Sequence, residues 1–229
     1  MGYSDLALRR KHLWVFRGDG VELSAIRAVA SEAVSTGAAT EGAVDRRSDG
    51  PEPRGTDDPG RVTALLHLYD LAPEAVARIA ERATGLGGLG YEILERAVFD
   101  RRQGLAGMDW GAGWNLIGTQ TRRPGLDRRD FVRHWGAGHA ELVRAHHPGL
   151  SRYVQNYVVT HDAGAVGFDG FFEGYFMTQD DWDVRLYDSP EGERLLADDA
   201  ASFLDEGATE WIWVERERFG PDWAAFAAR

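Results

Sequence analysis

The sequence of 229 residues contains no cysteine. Disulfide bonds and thiolate metal ligands are therefore excluded, while the redox compartment stays undetermined. Long apolar runs are also absent. No run approaches the roughly 20 residues that a membrane-spanning helix needs, and the N-terminus MGYSDLALRRKHLWVF lacks the apolar region of a signal peptide. We therefore expect a cytoplasmic protein with no membrane partner.

Basic residues are fewer than acidic ones. The chain has 26 lysine and arginine residues against 37 aspartate and glutamate residues, a net charge of −11, and no basic stripe stands out. A protein that binds the nucleic-acid backbone needs clustered positive charge, so we expect no nucleic-acid partner. Hydrophobic residues make up 43% of the chain, which is enough to form one large domain or two small ones.

His139 is the first candidate for chemistry. Phe131, Trp135 and His139 recur at four-residue spacing, so a helix places them on one face and points the histidine inward. Gly136 and Gly138 lie within one turn of it, although a glycine costs about 1 kcal/mol relative to alanine inside a helix. Small residues there would make room for a ligand. The structural alternative is a core histidine that bonds to a backbone carbonyl group.

The sequence around His139 resembles the EthD family in several motifs that occur in the family's order. These motifs are a basic turn with Arg122, Arg123, Gly125 and Leu126, a helix with Phe131, Trp135 and His139, a strand with Gly149, Leu150, Tyr153 and Asn156, the segment FDGFFEGYF (168–176) with Glu173, and a second helix, SPEGERLLADDAASFLD (189–205). Several ordered motifs are far more specific than a lone short pattern. The resemblance covers about half of the chain, and the N-terminal half lacks it.

The resemblance implies a fold and a range of activities. EthD proteins are similar to the dimeric α+β barrel type, in which two ferredoxin-like units join their sheets. Relatives of this type mostly act on small apolar or aromatic molecules, in polyketide-like cyclisation and dehydration, quinol oxidation and degradation pathways. Many need no cofactor, and we expect none here.

The spacing of apolar residues predicts the same order of strands and helices twice. The first half reads as strand 8–17, helix 22–36, strand 61–70, helix 71–83 and strand 91–100, and the second half as strand 113–122, helix 127–146, strands 151–160 and 169–178, helix 189–204 and strand 209–219. The polar stretch 40–60 predicts a mobile loop with part of a strand at its start. The tail, 220–229, predicts a short surface helix.

A βαββαβ unit leaves one apolar face of its sheet without cover from its own two helices. Two such units in one chain can cover each other. We therefore predict an α+β fold in which two ferredoxin-like βαββαβ units are fused into a dimeric α+β barrel-like pseudo-dimer. The degenerate N-terminal half spans 1–107 and the EthD-like C-terminal half spans 110–229. A homodimer of such pseudo-dimers is a further expectation.

The other histidines have simpler interpretations. His134 falls on a different helix face from His139, which favours a solvated side chain. His146 and His147 lie at the end of the helix, where an imidazolium group meets the negative end of the helix dipole. No histidine pair or histidine–carboxylate cluster has the spacing of a metal site, so no metal is expected.

Three further polar residues are candidates for the site. Tyr153 and Asn156 lie three apart on a strand, so only one of them can share a face with His139. Asn156 is an amide in an apolar row, and either a pocket or a backbone bond at a bulge would satisfy it. Glu173 is flanked by aromatic residues. Its pKa is raised, or it pairs with a cation such as Arg152 or a protonated His139, or it faces solvent at the sheet rim.

These residues suggest a cofactor-independent lyase or cyclase, a dehydratase-like enzyme that acts on a small hydrophobic or aromatic carbonyl compound. His139 would be the general acid/base, Tyr153 and Asn156 would orient and polarise the substrate, and Glu173 would tune the site. The expected substrate pocket consists of Phe131, Trp135, Gly138 and Tyr175.

Two alternatives stay open. A monooxygenase or haem-handling enzyme of the same fold would need an axial ligand such as His139 or His161. A non-catalytic protein that binds a hydrophobic metabolite would need no catalytic residue. Because the first helix of the N-terminal half (22–36) has no tryptophan or histidine, at most one full site per chain is expected.

Overall fold

The computed structural model describes residues 8–48, 60–102 and 113–220. Eight strands form one closed barrel, and helices pack on its outer surface. The strands are β1 (Arg9–Arg17), β2 (Glu41–Arg47), β3 (Val62–Tyr69), β4 (Leu89–Asp100), β5 (Trp114–Gln120), β6 (Leu150–His161), β7 (Gly170–Phe176) and β8 (Trp211–Phe219). The helices are α1 (Leu23–Ser35), α2 (Pro73–Gly85), α3 (Arg128–Arg133), α4 (Ala140–His146), α5 (Gln179–Asp183) and α6 (Pro190–Phe203), with a π-helical turn at His134–His139 and a 3₁₀ turn at Glu206–Ala208.

The strand order around the barrel is β1-β3-β2-β8-β5-β7-β6-β4, and every neighbouring pair is antiparallel. The two halves have the same spatial order of strands: β4-β1-β3-β2 in the N-terminal half and β8-β5-β7-β6 in the C-terminal half. The halves meet along β2–β8 and β4–β6, where Asp45 lies opposite Arg216 and Glu95 opposite Asn156. Closure gives every strand two partners, so the barrel has no open sheet edge. The predicted α+β class is confirmed.

The predicted elements match the observed ones closely, and β2 is the strand expected at the start of 40–60. The rest of that predicted loop, 49–59, and the helix predicted in the tail lie outside the described residues. No helix in the described ranges is long and apolar enough to cross a membrane.

Helices α1 and α2 fill the outer surface of the N-terminal half. Trp14 and Phe16 point outward from β1 and pack against apolar residues of these helices, including Ile26, Val29 and Ile79. The buried apolar residues of each helix recur at a spacing of three and four residues, which places them on one face of that helix. The alternate residues of the same strands therefore point into the barrel.

The barrel interior is apolar at one end and charged at the other. Leu13 and Val15 of β1 belong to an apolar cluster that also includes Ile93 and Phe171. Lys11, two residues before Leu13, is fully buried among acidic side chains. Since alternate residues of a strand share a face, one strand supplies both regions.

The helical segment of the C-terminal half lies close to the sheet because the sheet has a glycine, which lacks a side chain, at the point of contact. A β-carbon at Gly170 would lie 2.5 Å from the ring of Trp135. The segment was expected to be a regular helix over 127–146, but it contains the π-helical turn with Gly136 and Gly138. At Gly136 a β-carbon would lie 2.9 Å from the hydroxyl oxygen of Tyr157. π-Helical turns are rare and often occur at functional sites.

Candidate active site

A cavity of about 270 Å³ lies between the outer face of the C-terminal sheet and helices α4 and α6. His139 lines it from the π-helical turn. Most of the remaining lining is apolar, and six aromatic residues contribute: Tyr153, Phe172, Phe176, Trp182, Tyr187 and Trp211. A concave, aromatic lining with few polar groups is typical of a site for a small organic molecule.

His139 is held in place by a carboxylate. Its Nδ1 lies 2.8 Å from Oδ2 of Asp199, and each of the two side chains is 14% exposed. Because an ionised carboxylate can only accept, Nδ1 carries the hydrogen and the neutral ring has its lone pair on Nε2. The other oxygen of Asp199, Oδ1, lies 2.7 Å from Nε2 of His134. His134 was expected to be solvated, but the structure places it on the same carboxylate as His139.

Asp199 is ionised in this arrangement. Partial burial acts to raise its pKa, but hydrogen bonds from His139 and His134 lower the pKa below its ordinary value. Helix α6, which carries Asp199, begins with Ser189 as its N-cap and Pro190 in its first turn. The ring of Phe203, at the end of this helix, lies 4.9 Å from His134 and 5.1 Å from His139, measured between ring centroids.

Tyr153 lines the same cavity as His139. Its hydroxyl oxygen accepts a hydrogen bond from Nε1 of Trp135 at 3.0 Å. Burial raises the pKa of Tyr153, although bonds from Gln155 and Trp135 act in the opposite direction. The phenol group therefore keeps its proton.

His147 also lines the cavity, at the end of α4. Its Nδ1 lies 2.5 Å from the backbone oxygen of Leu186, and burial lowers its pKa to about 4. The adjacent His146 bonds instead to Asp188, at 3.1 Å. The sequence suggested that these imidazoles cap carbonyl groups of α4. Neither does so, because the segment after α5 supplies closer acceptors.

The predicted catalytic set does not lie together. Asn156 and Glu173 point into the barrel, on the opposite face of the sheet from His139 and Tyr153. The amide of Asn156 donates to Oε1 of Glu173 at 3.0 Å. Since β6 and β7 are covered on one side by helices and on the other by the barrel interior, both faces are buried. Alternation alone therefore did not show which face lines the cavity.

Glu173 belongs to a buried ion network that joins the two halves. Its carboxylate accepts from Nζ of Lys11 at 2.8 Å and from Arg216 at 2.7 Å. Burial acts to raise the pKa of Glu173, but Arg216 and Lys11 hold it well below the ordinary value. Of the partners that the sequence suggested, Arg152 lies 4.0 Å from Glu173, whereas His139 is on the other face of the sheet; Lys11 and Arg216 are closer.

Two more carboxylates complete the network. Glu95 accepts from Lys11 at 2.8 Å, and Asp45 accepts from Arg216 at 2.6 Å and bonds to His67 at 2.8 Å. Burial acts to raise the pKa of Asp45, yet the charge of Arg216 and the contact with His67 lower it to about 2. Arg152 lies 3.7 Å from Glu95 and 4.0 Å from Glu173, so three cations compensate three carboxylates.

The four residues expected to form the substrate pocket do not line the cavity. Phe131 and Trp135 are completely buried against Phe203 and the sheet. Gly138 faces a shallow outer groove beside His134. Tyr175 lies on the inner face of β7, beneath the guanidinium group of Arg102. The helix face that carries Phe131 and Trp135 packs directly on the sheet. The cavity therefore lies one turn further along the helical segment, next to α6.

We did not predict Asp199 from the sequence, although the pattern of α6 contains a weak signal for it. The buried residues Leu196 and Phe203 define the apolar stripe of α6, and Asp199 lies between them at helical spacing. A carboxylate on an apolar stripe needs a partner. That partner is 60 positions away in sequence, so periodicity alone does not identify it.

The residues present do not fit a haem. Haem iron needs an axial ligand and a slot for the macrocycle. His161 lies on the exposed end of β6, with Nδ1 bonded to the backbone of Asp162. The cavity beside His139, at about 270 Å³, is at the lower limit for small-molecule sites. Within the described residues, no group of three or more histidine, aspartate or glutamate side chains could hold a metal ion.

Comparisons with known proteins identify a domain match and a shared fold. Residues 123–207 match the model of the EthD domain. A search of curated proteins finds no match. Among solved structures, an anthrone oxidase-like protein has 13% identity and a TM-score of 0.60, over 97% of this chain and 98% of its own. A monooxygenase-like protein from Lactobacillus acidophilus has 8% identity and a TM-score of 0.51, over 93% of this chain and 96% of its own.

A chlorite dismutase-like protein has 11% identity and a TM-score of 0.52, over 97% of this chain and 99% of its own. At such identities, the likeness shows a shared fold, that of the dimeric α+β barrel type. The EthD resemblance read from the sequence motifs is confirmed by the match of residues 123–207, which carry His139, Tyr153 and Asp199, to the EthD domain model.

Proposed function

We propose that the protein is an enzyme that moves a proton to and from carbon in a small, flat, apolar carbonyl compound, with His139 as the general acid/base. One observation carries the proposal. His139 lines an aromatic cavity while Asp199 holds its Nδ1 at 2.8 Å, which leaves Nε2 for the substrate. An imidazole oriented in this way can act as a general acid and base.

Tyr153 supports the same reaction. Removal of a proton next to a carbonyl group develops negative charge on the carbonyl oxygen, and a hydrogen-bond donor stabilises that charge. Tyr153 lines the cavity, and its hydroxyl group keeps its proton because burial raises its pKa. The sequence suggested this role for both Tyr153 and Asn156. Because Asn156 lies on the other face of the sheet, we assign the role to Tyr153 alone.

The favoured overall reaction is elimination of water or aldol-type ring closure, because both need little beyond acid/base catalysis at one carbon. A second candidate is oxidation, since the fold resembles an anthrone oxidase-like protein and a monooxygenase-like protein. An anthrone has a CH₂ group conjugated with its carbonyl group. Removal of a proton there gives an electron-rich anion, which O₂ can convert to a quinone and water. Both candidates begin with the step assigned to His139.

We also propose that the barrel is a tandem fusion of two ferredoxin-like units, 1–107 and 110–229. The repeated βαββαβ order and the matching strand order in the two halves support this. In this arrangement the C-terminal unit holds the site and the N-terminal unit takes the place of a second subunit. Separate production and mixing of the two halves tests the proposal.

Anthrone is a suitable probe for the proton transfer. Under nitrogen in D₂O, the protein should speed the exchange of the CH₂ protons for deuterium, measured by NMR. His139→Gln should lower the protein-dependent rate by about a hundredfold to ten-thousandfold, the usual contribution of a positioned acid/base group. Glutamine keeps a polar side chain but cannot accept and return a proton.

His146→Gln is the matched control, because its ring bonds to Asp188 and does not line the cavity. It should exchange at the wild-type rate. Undiminished exchange in a folded His139→Gln protein would reject the catalytic assignment, and anthrone binding without exchange would favour the non-catalytic binding protein. Admission of air then separates the candidates, since only an oxidase consumes O₂ and forms anthraquinone.

A further inference from the structure

A second imidazole lines the cavity and has no part in the proton transfer described above. His147 follows the last residue of α4, and its ring packs against that of Tyr187 at 5.0 Å between centroids. Its Nδ1 lies 2.5 Å from the backbone oxygen of Leu186. A carbonyl oxygen can only accept, so Nδ1 carries the hydrogen. The lone pair of the ring is therefore on Nε2.

The ring of His147 is neutral at ordinary pH. Burial lowers its pKa to about 4, and the nearby His139, His146 and Arg101 act in the same direction, whereas the Leu186 carbonyl group acts against them. From about pH 5 upward the proton on Nδ1 is thus the only one on the ring. Nε2 remains a neutral hydrogen-bond acceptor in a largely aromatic cavity.

This acceptor has no protein partner. Within 8–48, 60–102 and 113–220, no protein hydrogen bond reaches Nε2 of His147, so its lone pair is available to a ligand in the cavity. A neutral hydroxyl group on a ligand would supply the hydrogen. A carboxylate has none to give at neutral pH, and an ammonium group would lie near the guanidinium of Arg101, which bonds to the His147 backbone at 2.9 Å.

We propose that the substrate is a hydroxylated aromatic carbonyl compound whose hydroxyl group donates to Nε2 of His147. His139 and His147 are eight positions apart, which is about 12 Å along a helix. The hydroxyl group therefore lies apart from the carbon that His139 deprotonates, at the end of the cavity next to the last residues of α4. The position of that carbon rests on the proposed function, whereas the hydroxyl site does not.

The test compares two probes that differ in one hydrogen-bond donor, 2-naphthol and 2-methoxynaphthalene, by calorimetric titration of the full chain. Wild type should bind 2-naphthol about fivefold to tenfold more tightly, the effect of one net hydrogen bond. His147→Phe should reduce this preference to less than about twofold. His146→Phe, the adjacent change outside the cavity, should keep it.

A second measurement needs no variant. In protein with ¹⁵N-labelled histidine, addition of 2-naphthol should shift the Nε2 resonance of His147 in the direction of a bonded acceptor, and 2-methoxynaphthalene should not. Equal affinity for the two probes, binding of neither, or a His147→Phe protein that keeps the preference overturns the proposal. A His139→Gln protein that loses deuterium exchange but keeps the preference shows that the two sites act separately. If the wild-type protein did not catalyse deuterium exchange but kept the preference for 2-naphthol, only the proposed function would be rejected.

Discussion

Asp199 sets which nitrogen of His139 faces the cavity. An asparagine at this position has an amide that can donate as well as accept, so the ring is no longer held with its hydrogen on Nδ1. We expect Asp199→Asn to lower anthrone deuterium exchange by about a hundredfold or more. Its melting temperature should stay close to that of wild type, because the side chains have the same shape.

The neighbouring Asp198→Asn serves as the control. Asp198 is exposed and pairs with Arg194 on the surface of α6, at 2.7 Å, and such pairs contribute little to stability. It should behave as wild type in both measurements. A folded Asp199→Asn protein with wild-type exchange would show that the carboxylate has no role in orienting His139.

At the residue scale, the sequence predicted an inward His139 and named Tyr153 as a candidate, but it did not predict their partners. His139 and Tyr153 were identified from spacing and family motifs that lie within one segment. Asp199 and His147 act through contacts with residues remote in sequence or with backbone atoms. Residue spacing contains no information about such contacts, which depend on how α6 and the segment after α5 pack.

At the scale of elements, the close approach of the π-helical segment to β7 depends on Gly170. A β-carbon there would lie 2.5 Å from the ring of Trp135 and 2.7 Å from the backbone oxygen of Asn156. Gly170→Ala should therefore lower the free energy of unfolding by about 1–3 kcal/mol, the usual effect of overpacking. Denaturant titration measures the change.

Gly138→Ala is the contrasting variant. The nearest atoms to a β-carbon at Gly138 belong to the ring of His134, at 3.7 Å, which is an ordinary contact. Stability should be unchanged or higher by up to about 1 kcal/mol, because alanine is the better helix former. If Gly170→Ala were as stable as Gly138→Ala, the packing of Trp135 on β7 would be different from that described.

Strands and helices were predicted well because apolar spacing of two and of three to four residues recurs in both halves. Two features escaped this pattern. The strand β2 (Glu41–Arg47) was only partly recognised, because Asp45 is charged and yet points into the barrel, where Arg216 compensates it. The π-helical turn was predicted as regular helix, since its extra residue leaves no mark in the spacing of apolar positions.

At the scale of the whole molecule, the buried ion network joins the N-terminal half to the C-terminal half. Lys11 binds Glu173 and Asp45 binds Arg216, and in each pair the partners belong to different halves. Removal of one partner of a buried pair leaves an uncompensated charge, which costs about 3–5 kcal/mol. The apolar spacing predicted two halves that cover each other. It did not predict charges between them, because a lysine in a strand is usually exposed.

The network and the shared strand pairs predict the behaviour of the separated halves. Produced alone, 1–107 and 110–229 should each lack a cooperative thermal transition, because their buried charges lose their partners and strands β2, β4, β6 and β8 lose one neighbour each. Mixed in equal amounts, they should form a one-to-one complex, measured by size-exclusion chromatography with light scattering. The complex should melt in one step.

Lys11→Met in the N-terminal half tests the electrostatic part of this prediction. The variant removes a cation that bonds to both Glu95 and Glu173, so the halves should associate more weakly by about 3–5 kcal/mol. Arg27→Met removes a surface ion pair with Glu217 across the same two halves and should have little effect. Two halves that each fold alone and do not associate would instead be independent domains, and the fused-barrel proposal would be wrong.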